Sequence, residues 1–435
     1  MMTNQTVADR EGSAQQDSGR YLPQLRWYIC GLLFFASTIN YIDRQVLGLL
    51  KPVLEKDLGW NEADYSWIVA AFQLAYGLMM PIAGRVIDWI GMRIGYMLAV
   101  VVWSVAAMAH AMAGNAFQFS AARFALGIGE SANFPAAIKT VAHWFPRRER
   151  ALATGIFNSG TNIGALVAPL MVPYLALHFG WHSAFVFTGS LGFLWVILWM
   201  LFFREPENHK WLAPKELALI RSDNEPVSER VPYMQLLGSR AAWAFMVGKF
   251  LTDPVWWFYL FWLPGFLASV YKLDLSHLGL PIVVVYQAST IGSVGGGWIS
   301  STMIRRGYTV NRARKTAMLI CALAVTSAIF VGNAGGNMWL AVGLVSIAAA
   351  SHQGWSANLF TLPSDMLPRN AVASLVGLGG MCGALSGFLV APAIGYWLDY
   401  SHKSYGPLFV VAGSMYLIAL GIIQLLVPNV ERKTV

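Results

Sequence analysis

Four ionisable residues stand inside long apolar runs of this chain. Asp43 and Arg44 are neighbours near the far end of a run that begins at Trp27, and Arg123 and Glu130 lie in another run from about Asn115 to Trp144. At the centre of a hydrocarbon layer an ionised group costs at least ~2.5–3.5 kcal/mol. Groups kept there pair with one another, bind something charged, or do both. A guanidinium matches two carboxylate oxygens and never gives up its charge, so Arg44 is the candidate to hold an anion. A carboxyl group in a low dielectric takes up a proton more readily than in water, so Glu130 is the candidate to load and release one. Asp43 is the second proton candidate, or the group that neutralises an arginine until it is protonated. Arg123 is expected to position a carboxylate rather than touch a ligand.

Helical geometry limits the pairings. Adjacent residues project about 100° apart, so Asp43 and Arg44 cannot both face one cavity squarely. Arg123 and Glu130 share a face but are separated by about 10 Å of rise. Each is therefore expected to meet a partner on the first run, or a ligand. The alternative is a closed salt-bridge cluster that only fixes helix packing.

Other polar groups stand in apolar surroundings. Lys249 and Asp253 are four apart and can pair along a helix; alternatively Lys249 reaches an anion. Tyr41, Gln73, Tyr76, Asn158, Asn162, His352, Gln353, Trp355 and Asn358 can meet hydroxyl groups or bond helix to helix. Tyr41, Gln73, Tyr76 and Trp355 are the preferred ligand contacts, with Asn162, His352 and Gln353 as further candidates. His352 can titrate near neutrality or serve structurally. Lys139 is expected to snorkel, and Trp256, Trp257, Tyr259 and Trp262 are expected to be mostly packing or interface anchors.

The elements that must position these groups follow from composition. The 435 residues are 56% hydrophobic and 12% charged, against about 25% charged in soluble proteins. The apolar residues form about twelve blocks near the ~20 residues that span a bilayer, not the ~10-residue alternating segments of a barrel. The expectation is an all-α polytopic membrane protein. The blocks are 27–49, 65–90, 94–113, 115–144, 151–177 and 182–203, then 240–268, 277–300, 315–334, 337–362, 371–397 and 405–428. They divide the chain into a tail 1–26, a six-helix half 27–203, a linker 204–239, a second half 240–428 and a tail 429–435. Within the linker, Pro214 opens an amphipathic stretch that reads as a short surface helix. The first twenty residues lack the apolar core of a signal peptide and read as a disordered tail.

The net charge of +8 needs no nucleic acid, because Lys and Arg gather on one side of the spans. Only Lys51, Lys56, Lys272 and Lys403 fall on the other side, and Arg44, Arg123, Lys139 and Lys249 lie within spans, of 30 Lys and Arg in all. That asymmetry places both termini in the cytoplasm. Cys30, Cys321 and Cys382 sit in apolar blocks with neither disulfide nor metal spacing. No nucleophile motif or phosphate-cradling loop points to an enzyme.

The halves echo each other. Gly84 to Arg93 follows the second block, and Gly295 to Arg306 stands in the matching place after the eighth. Gly155, Gly160, Gly164 and Pro169 in the fifth block answer Gly377, Gly379, Gly380, Gly383, Gly387 and Pro392 in the eleventh. Small residues so spaced let membrane helices approach closely, and paired halves are the trace of a repeat-built transporter. A channel fits the repeat and the buried arginines less well, and a cation-expelling antiporter would want acidic groups without arginine.

The segment GRVIDWIGMR, read as the loop after the second span, resembles the signature motif of the major facilitator superfamily through Gly84, Asp88, Gly91 and Arg93. Trp89 after Asp88 is a mild departure. NYIDRQVLG at Asn40–Gly48, RFALGIGESANFPA at Arg123–Ala136, HWFPRRERALATGIFNSG and GKFLTDPVWWFYLFWLP resemble the anion:cation symporter group, and the last run resembles bacterial hexuronate transporters. The resemblance implies twelve helices in two pseudo-symmetric halves and proton-coupled uptake of a sugar-acid anion such as glucuronate or galacturonate. An aldonate, a dicarboxylate or sodium coupling remains open. It implies a monomer in the bacterial inner membrane with no cofactor beyond the coupling proton. Similar positions in the first and fourth spans of the family serve anion binding and proton coupling, and Gly84, Asp88, Gly91 and Arg93 are implied to form a conformational latch.

Overall fold

A computed structural model describes residues 21–222, 233–367 and 369–430. The described residues fold into helices: α1 (Leu25–Leu58), α2 (Glu62–Ile90), α3 (Met92–Ala109), α4 (Ala116–Glu130), α5 (Asn133–Trp144), α6 (Arg147–Phe179), α7 (Trp181–Phe202), α8 (Pro214–Ile220) and α9 (Tyr233–Leu237). There follow α10 (Arg240–Tyr271), α11 (Gly279–Arg305), α12 (Val310–Val325), α13 (Met338–Leu359), α14 (Leu362–Met366), α15 (Arg369–Tyr400) and α16 (Gly406–Leu426). Taking α4 with α5 as one pass, twelve passes result: α1, α2, α3, α4–α5, α6, α7, α10, α11, α12, α13, α15 and α16. The end at which α1 begins and α16 finishes is the proximal end, and the other is distal.

Eight of these passes are long and apolar enough to cross a membrane by composition alone. The remaining four are α1, α4–α5, α10 and α13, the first, fourth, seventh and tenth. They carry Asp43 and Arg44, Arg123 and Glu130, Lys249 and Asp253, and His352 and Gln353. α1, α10 and α13 are long enough but loaded with polar groups, which face a bundle interior, whereas α4 and α5 are each too short alone.

Packing repeats with a six-pass period. α1 packs on α6 as α10 does on α15, α2 on α4 as α11 on α13, and α3 on α7 as α12 on α16. The two groups meet through α2 with α15, α1 with α10, and α6 with α11. Close approach depends on absent side chains: a Cβ on Gly160 would lie 2.3 Å from the Phe34 carbonyl oxygen, and one on Gly292 2.0 Å from that of Ala350.

Helix ends are fixed locally. Asn61 and Asp64 form a reciprocal capping box at the start of α2, and Asn115, Thr309 and Asn337 cap α4, α12 and α13, satisfying amides that the helix leaves unpaired. Pro214 takes the first turn of α8 as expected. This linker helix is not merely superficial. Glu216 is buried, and its carboxylate accepts the backbone N–H groups of Leu25 and Arg26 at 3.0 and 3.2 Å, so it caps α1 with a charge of the favoured sign. Arg26 also bonds Glu216 and Glu149 on α6, tying linker, first pass and fifth pass together.

Three sequence expectations change. First, the 115–144 run is two helices, broken at Ser131–Ala132. Pro135, in the first turn of α5, has no N–H to bond back to Ser131 and disfavours helix before it. Second, the GRVIDWIGMR segment is no loop. α2 continues through Ile90, and Gly91 alone, at φ 91°, turns the chain into α3; one residue suffices because glycine accepts positive φ. Third, Lys51 and Lys56 are not in a loop. α1 runs on through Leu58, and Lys51 is only 1% exposed, because a carboxylate partner lies beside it.

Candidate functional site

The site is built on α1. Arg44 is 3% exposed, and its Nε and Nη2 both donate to Glu130 Oε2 at 3.0 and 2.7 Å. Nη2 also donates to Asn40 Oδ1, one helical turn back, at 3.3 Å. Glu130 is the last residue of α4, so the break before α5 ends the helix at the carboxylate that meets Arg44. Arg123, two turns earlier, reaches α1 separately: its Nη2 donates to the Arg44 carbonyl oxygen at 3.1 Å. Arg123 and Glu130 make no direct bond, as their spacing predicts.

Aromatic rings enclose the guanidinium. Arg44 Cζ lies 5.1 Å from the Tyr41 centroid, 5.1 Å from Phe72, 4.9 Å from Tyr76 and 5.5 Å from Trp257. A desolvated cation over such faces gains ~2 kcal/mol or more in the best cases. Trp257 belongs to α10, so the cage is shared by both groups of helices.

Several polar atoms at the centre have no hydrogen-bond partner. They are both Asp43 carboxylate oxygens, Glu130 Oε1, Arg123 Nε and Nη1, both amide atoms of Gln73, and Trp257 Nε1. Asp43 is 2% exposed and lies beside Thr188 of α7, near the charges of Glu130 and Arg123. Unpartnered buried polar groups are costly, so this set is poised to receive something. Gln73 and Trp257 also border a void of about 10 Å³ beside Gly387, close to the size of one water.

A second cluster lies on α10, α13 and α15. Lys249 Nζ meets Asp253 Oδ2 at 2.7 Å and lies 4.4 Å from the Phe360 centroid. Asp253 presses on Gly383, where a Cβ would lie 2.0 Å from its Oδ2. His352 bonds the Tyr416 hydroxyl through Nδ1 and stacks on Trp256 at 5.0 Å. Trp355 is fully buried edge-on to Tyr416. Asn358 bonds the carbonyls of Gly296 and Gly354, a helix-to-helix role. Asn162 on α6 and Gln353 on α13 are half-buried, and neither bonds Arg44 or Glu130.

The structure thus brings Tyr41, Tyr76, Arg123 and Glu130 to Arg44 and leaves His352, Gln353, Trp355, Asn162 and Lys249 apart from it. In the GRVIDWIGMR segment, Arg93 donates to the Met200 carbonyl at 2.6 Å while its own carbonyl accepts Trp199 Nε1, so it ties α3 to α7. The Asp88 side chain, like residues 1–20, 223–232 and 431–435, lies outside the described residues.

Phe72 and Trp257 escape sequence reasoning as site residues because aromatics in apolar spans read as packing. A distal cluster escapes it too. Lys51 Nζ bonds both Glu62 oxygens at 2.7 Å and Glu55 at 3.3 Å, and Lys403 approaches Glu55 and Glu62 at 3.2 and 3.4 Å. Asp399, at the end of α15, accepts the N–H groups of Glu62 and Ala63 at 2.9 and 2.8 Å. Only the Lys51–Glu55 spacing is a signal in the sequence; Glu62 lies on the next helix, and Lys403 and Asp399 lie far along the chain.

The family model of the Major Facilitator Superfamily matches residues 33–391. The chain belongs to the major facilitator superfamily. The hexuronate transporter of Escherichia coli K12 is 31% identical over 417 residues, covering 94% of this chain and 96% of the relative. The galacturonate transporter of Dickeya chrysanthemi is 30% identical over 306 residues, covering 69% of this chain and 88% of the relative. The crystal structure of a D-xylose-proton symporter superposes with a TM-score of 0.74 at 14% identity, covering 94% and 99% of the two chains. At that identity the likeness speaks for the fold. The Arg44 cage lies where the two repeat-related groups of helices meet.

Proposed function

We propose that the chain takes up a sugar-acid monoanion, glucuronate or galacturonate, together with a proton, by alternating access across a bacterial inner membrane, with both termini in the cytoplasm. The carrying observation is the Arg44–Glu130 pair inside an aromatic cage. A buried guanidinium needs one anionic partner. With Glu130 ionised, that partner is internal and the substrate carboxylate has no claim on Arg44. With Glu130 protonated, Arg44 is released to the substrate's two oxygens. Proton and anion then enter as a neutral pair, and neither crosses alone without leaving a buried charge exposed. The names of the hexuronate and galacturonate transporters support a uronate as the anion. Tyr41 and Tyr76 offer faces to a sugar ring, and Gln73 with Trp257 offers unpartnered polar atoms to its hydroxyls. Asp43, buried beside Thr188 and near the charges of Glu130 and Arg123, is costly to keep ionised there and is the second coupling group.

The test is uptake of labelled galacturonate by proteoliposomes, with and without an inward proton gradient and with sodium replaced by potassium. Accumulation driven by external acid and indifferent to sodium is expected. Accumulation that ignores the proton gradient overturns proton coupling, and competition by galactonate or a dicarboxylate but not by glucuronate overturns the uronate assignment.

A further inference from the structure

A groove of about 690 Å³ opens on the outer face of the helix bundle between α12 and α16, at the proximal end. It plays no part in the Arg44 site. Its lining is graded along the helix axes. Arg312 stands in the first turn of α12 and Lys315 one turn deeper, whereas Leu319, Leu417 and Leu420 form the deeper wall. Arg312 and Leu319 are seven residues apart, about 10 Å of helical rise, close to the offset between a phospholipid headgroup and the start of its acyl chains.

The charge balance is one-sided. No Asp or Glu lines the groove. Arg312 is exposed, lies 5.1 Å from the Tyr308 ring, and has no carboxylate partner among the described residues. Lys315 is fixed by the Gln424 side chain and the carbonyls of Val427 and Pro428, all at 2.6 Å. Those acceptors are neutral, so Lys315 anchors the end of α16 without an anionic partner among the described residues. Two cations therefore stand over an apolar wall with no carboxylate beside them among the described residues. Gly421 on α16 supplies the space, because a Cβ there would meet nothing within 4 Å.

We propose that this groove binds an anionic phospholipid, its phosphate at Arg312 and above Lys315, and an acyl chain along Leu319, Leu417 and Leu420. Basic pockets between membrane helices suit such headgroups. A zwitterionic lipid fills the apolar wall equally well but brings its own cation toward Arg312. The site needs only that the helices lie in a bilayer and is independent of the transported solute.

Native mass spectrometry of the purified full chain, titrated with phosphatidylglycerol or phosphatidylcholine of matched acyl chains, tests this. The wild type is expected to retain phosphatidylglycerol severalfold better. Arg312→Gln should cut that preference about fivefold, the effect of one cation at an anionic membrane surface, and leave phosphatidylcholine retention unchanged. Gly421→Leu, which fills open space without a clash, should abolish the preference with Arg312 still in place. An unaltered melting temperature certifies the fold of each variant. Equal retention of the two lipids by the wild type, or an undiminished preference in both variants, overturns the proposal. So does displacement of the bound lipid by soluble glycerol 3-phosphate at equal concentration, which would mean that the groove reads a phosphate without its acyl chains.

Discussion

Arg44 spends two of its nitrogens on a single oxygen of Glu130 and leaves the other oxygen, Oε1, without a partner. A carboxylate in the usual fork geometry would engage both oxygens. Here one oxygen holds the guanidinium and the other is free to take a proton without first breaking a bond. The pair is half engaged, and the unengaged half is where exchange can begin.

Glu130→Gln should separate coupling from translocation. The amide keeps an oxygen for Arg44 and carries no titratable proton. Arg44 then lacks an anion, and removing one partner of a buried pair costs ~3–5 kcal/mol, part of which a bound substrate carboxylate restores. The expected result is loss of proton-driven accumulation, retained counterflow exchange, and substrate affinity equal to or tighter than wild type. Full uphill uptake by this variant would remove Glu130 from the coupling role.

Arg44→Lys should be far from conservative. A lysine keeps the charge but loses the planar fork, the second bond to Glu130 and the stacking on four rings. Initial rates of galacturonate exchange are expected to fall at least tenfold, with the melting temperature changed by only a few degrees. A variant with wild-type exchange would place the anion elsewhere, and Lys249 would be the next residue to test.

The fold was legible in the sequence wherever hydrocarbon imposes a rule. Apolar blocks of spanning length became helices, and Asp43, Arg44, Arg123 and Glu130 lie in the interior because lipid excludes them. What stayed hidden follows from chemistry without periodicity. Phe72 and Trp257 look like any other membrane aromatic until a guanidinium is found between them. The capping of α1 by Glu216 joins residues about 190 apart, and a carboxylate that caps a distant helix leaves no local mark. The break before α5 had a visible cause in Pro135, outweighed in the reading by continuous hydrophobicity.

Gly160 and Gly155 lie on the same helix and should answer oppositely to alanine. At Gly160 a Cβ would sit 2.3 Å from the Phe34 carbonyl oxygen, backbone that cannot step aside, whereas at Gly155 nothing lies within 4 Å. Gly160→Ala should cost ~1–3 kcal/mol through overpacking. Gly155→Ala should gain ~0.5–1 kcal/mol from the lower entropy cost of fixing alanine in a helix. Melting temperatures of the two variants in one detergent provide the comparison. Equal shifts would deny that α1 and α6 are in backbone contact.

Asp399 holds α2 from the opposite group of helices. Five hydrogen bonds at the distal end join α1–α7 to α10–α16 and their loops: Tyr65 to Phe261, Trp67 to Tyr396, Glu62 and Ala63 to Asp399, and Lys403 to Glu55. Asp399 contributes two of them, both charge-assisted and aimed at a helix N-terminus, where negative charge is favoured. Opening the distal end must break them. Hydrogen bonds to charged groups contribute ~1.5–3 kcal/mol each, so losing even ~2 kcal/mol of clasp would shift a two-state balance about 30-fold toward distal opening. Asp399→Ala should therefore lengthen the distance between spin labels at Asp57→Cys and Tyr400→Cys, after Cys30, Cys321 and Cys382 are replaced. Lys51→Met should act in the same direction, since Lys51 fixes the Glu62 side chain beside the clasp. Unchanged distance distributions in both variants would mean that the distal end is held by apolar packing, and that the charges there serve only to satisfy one another.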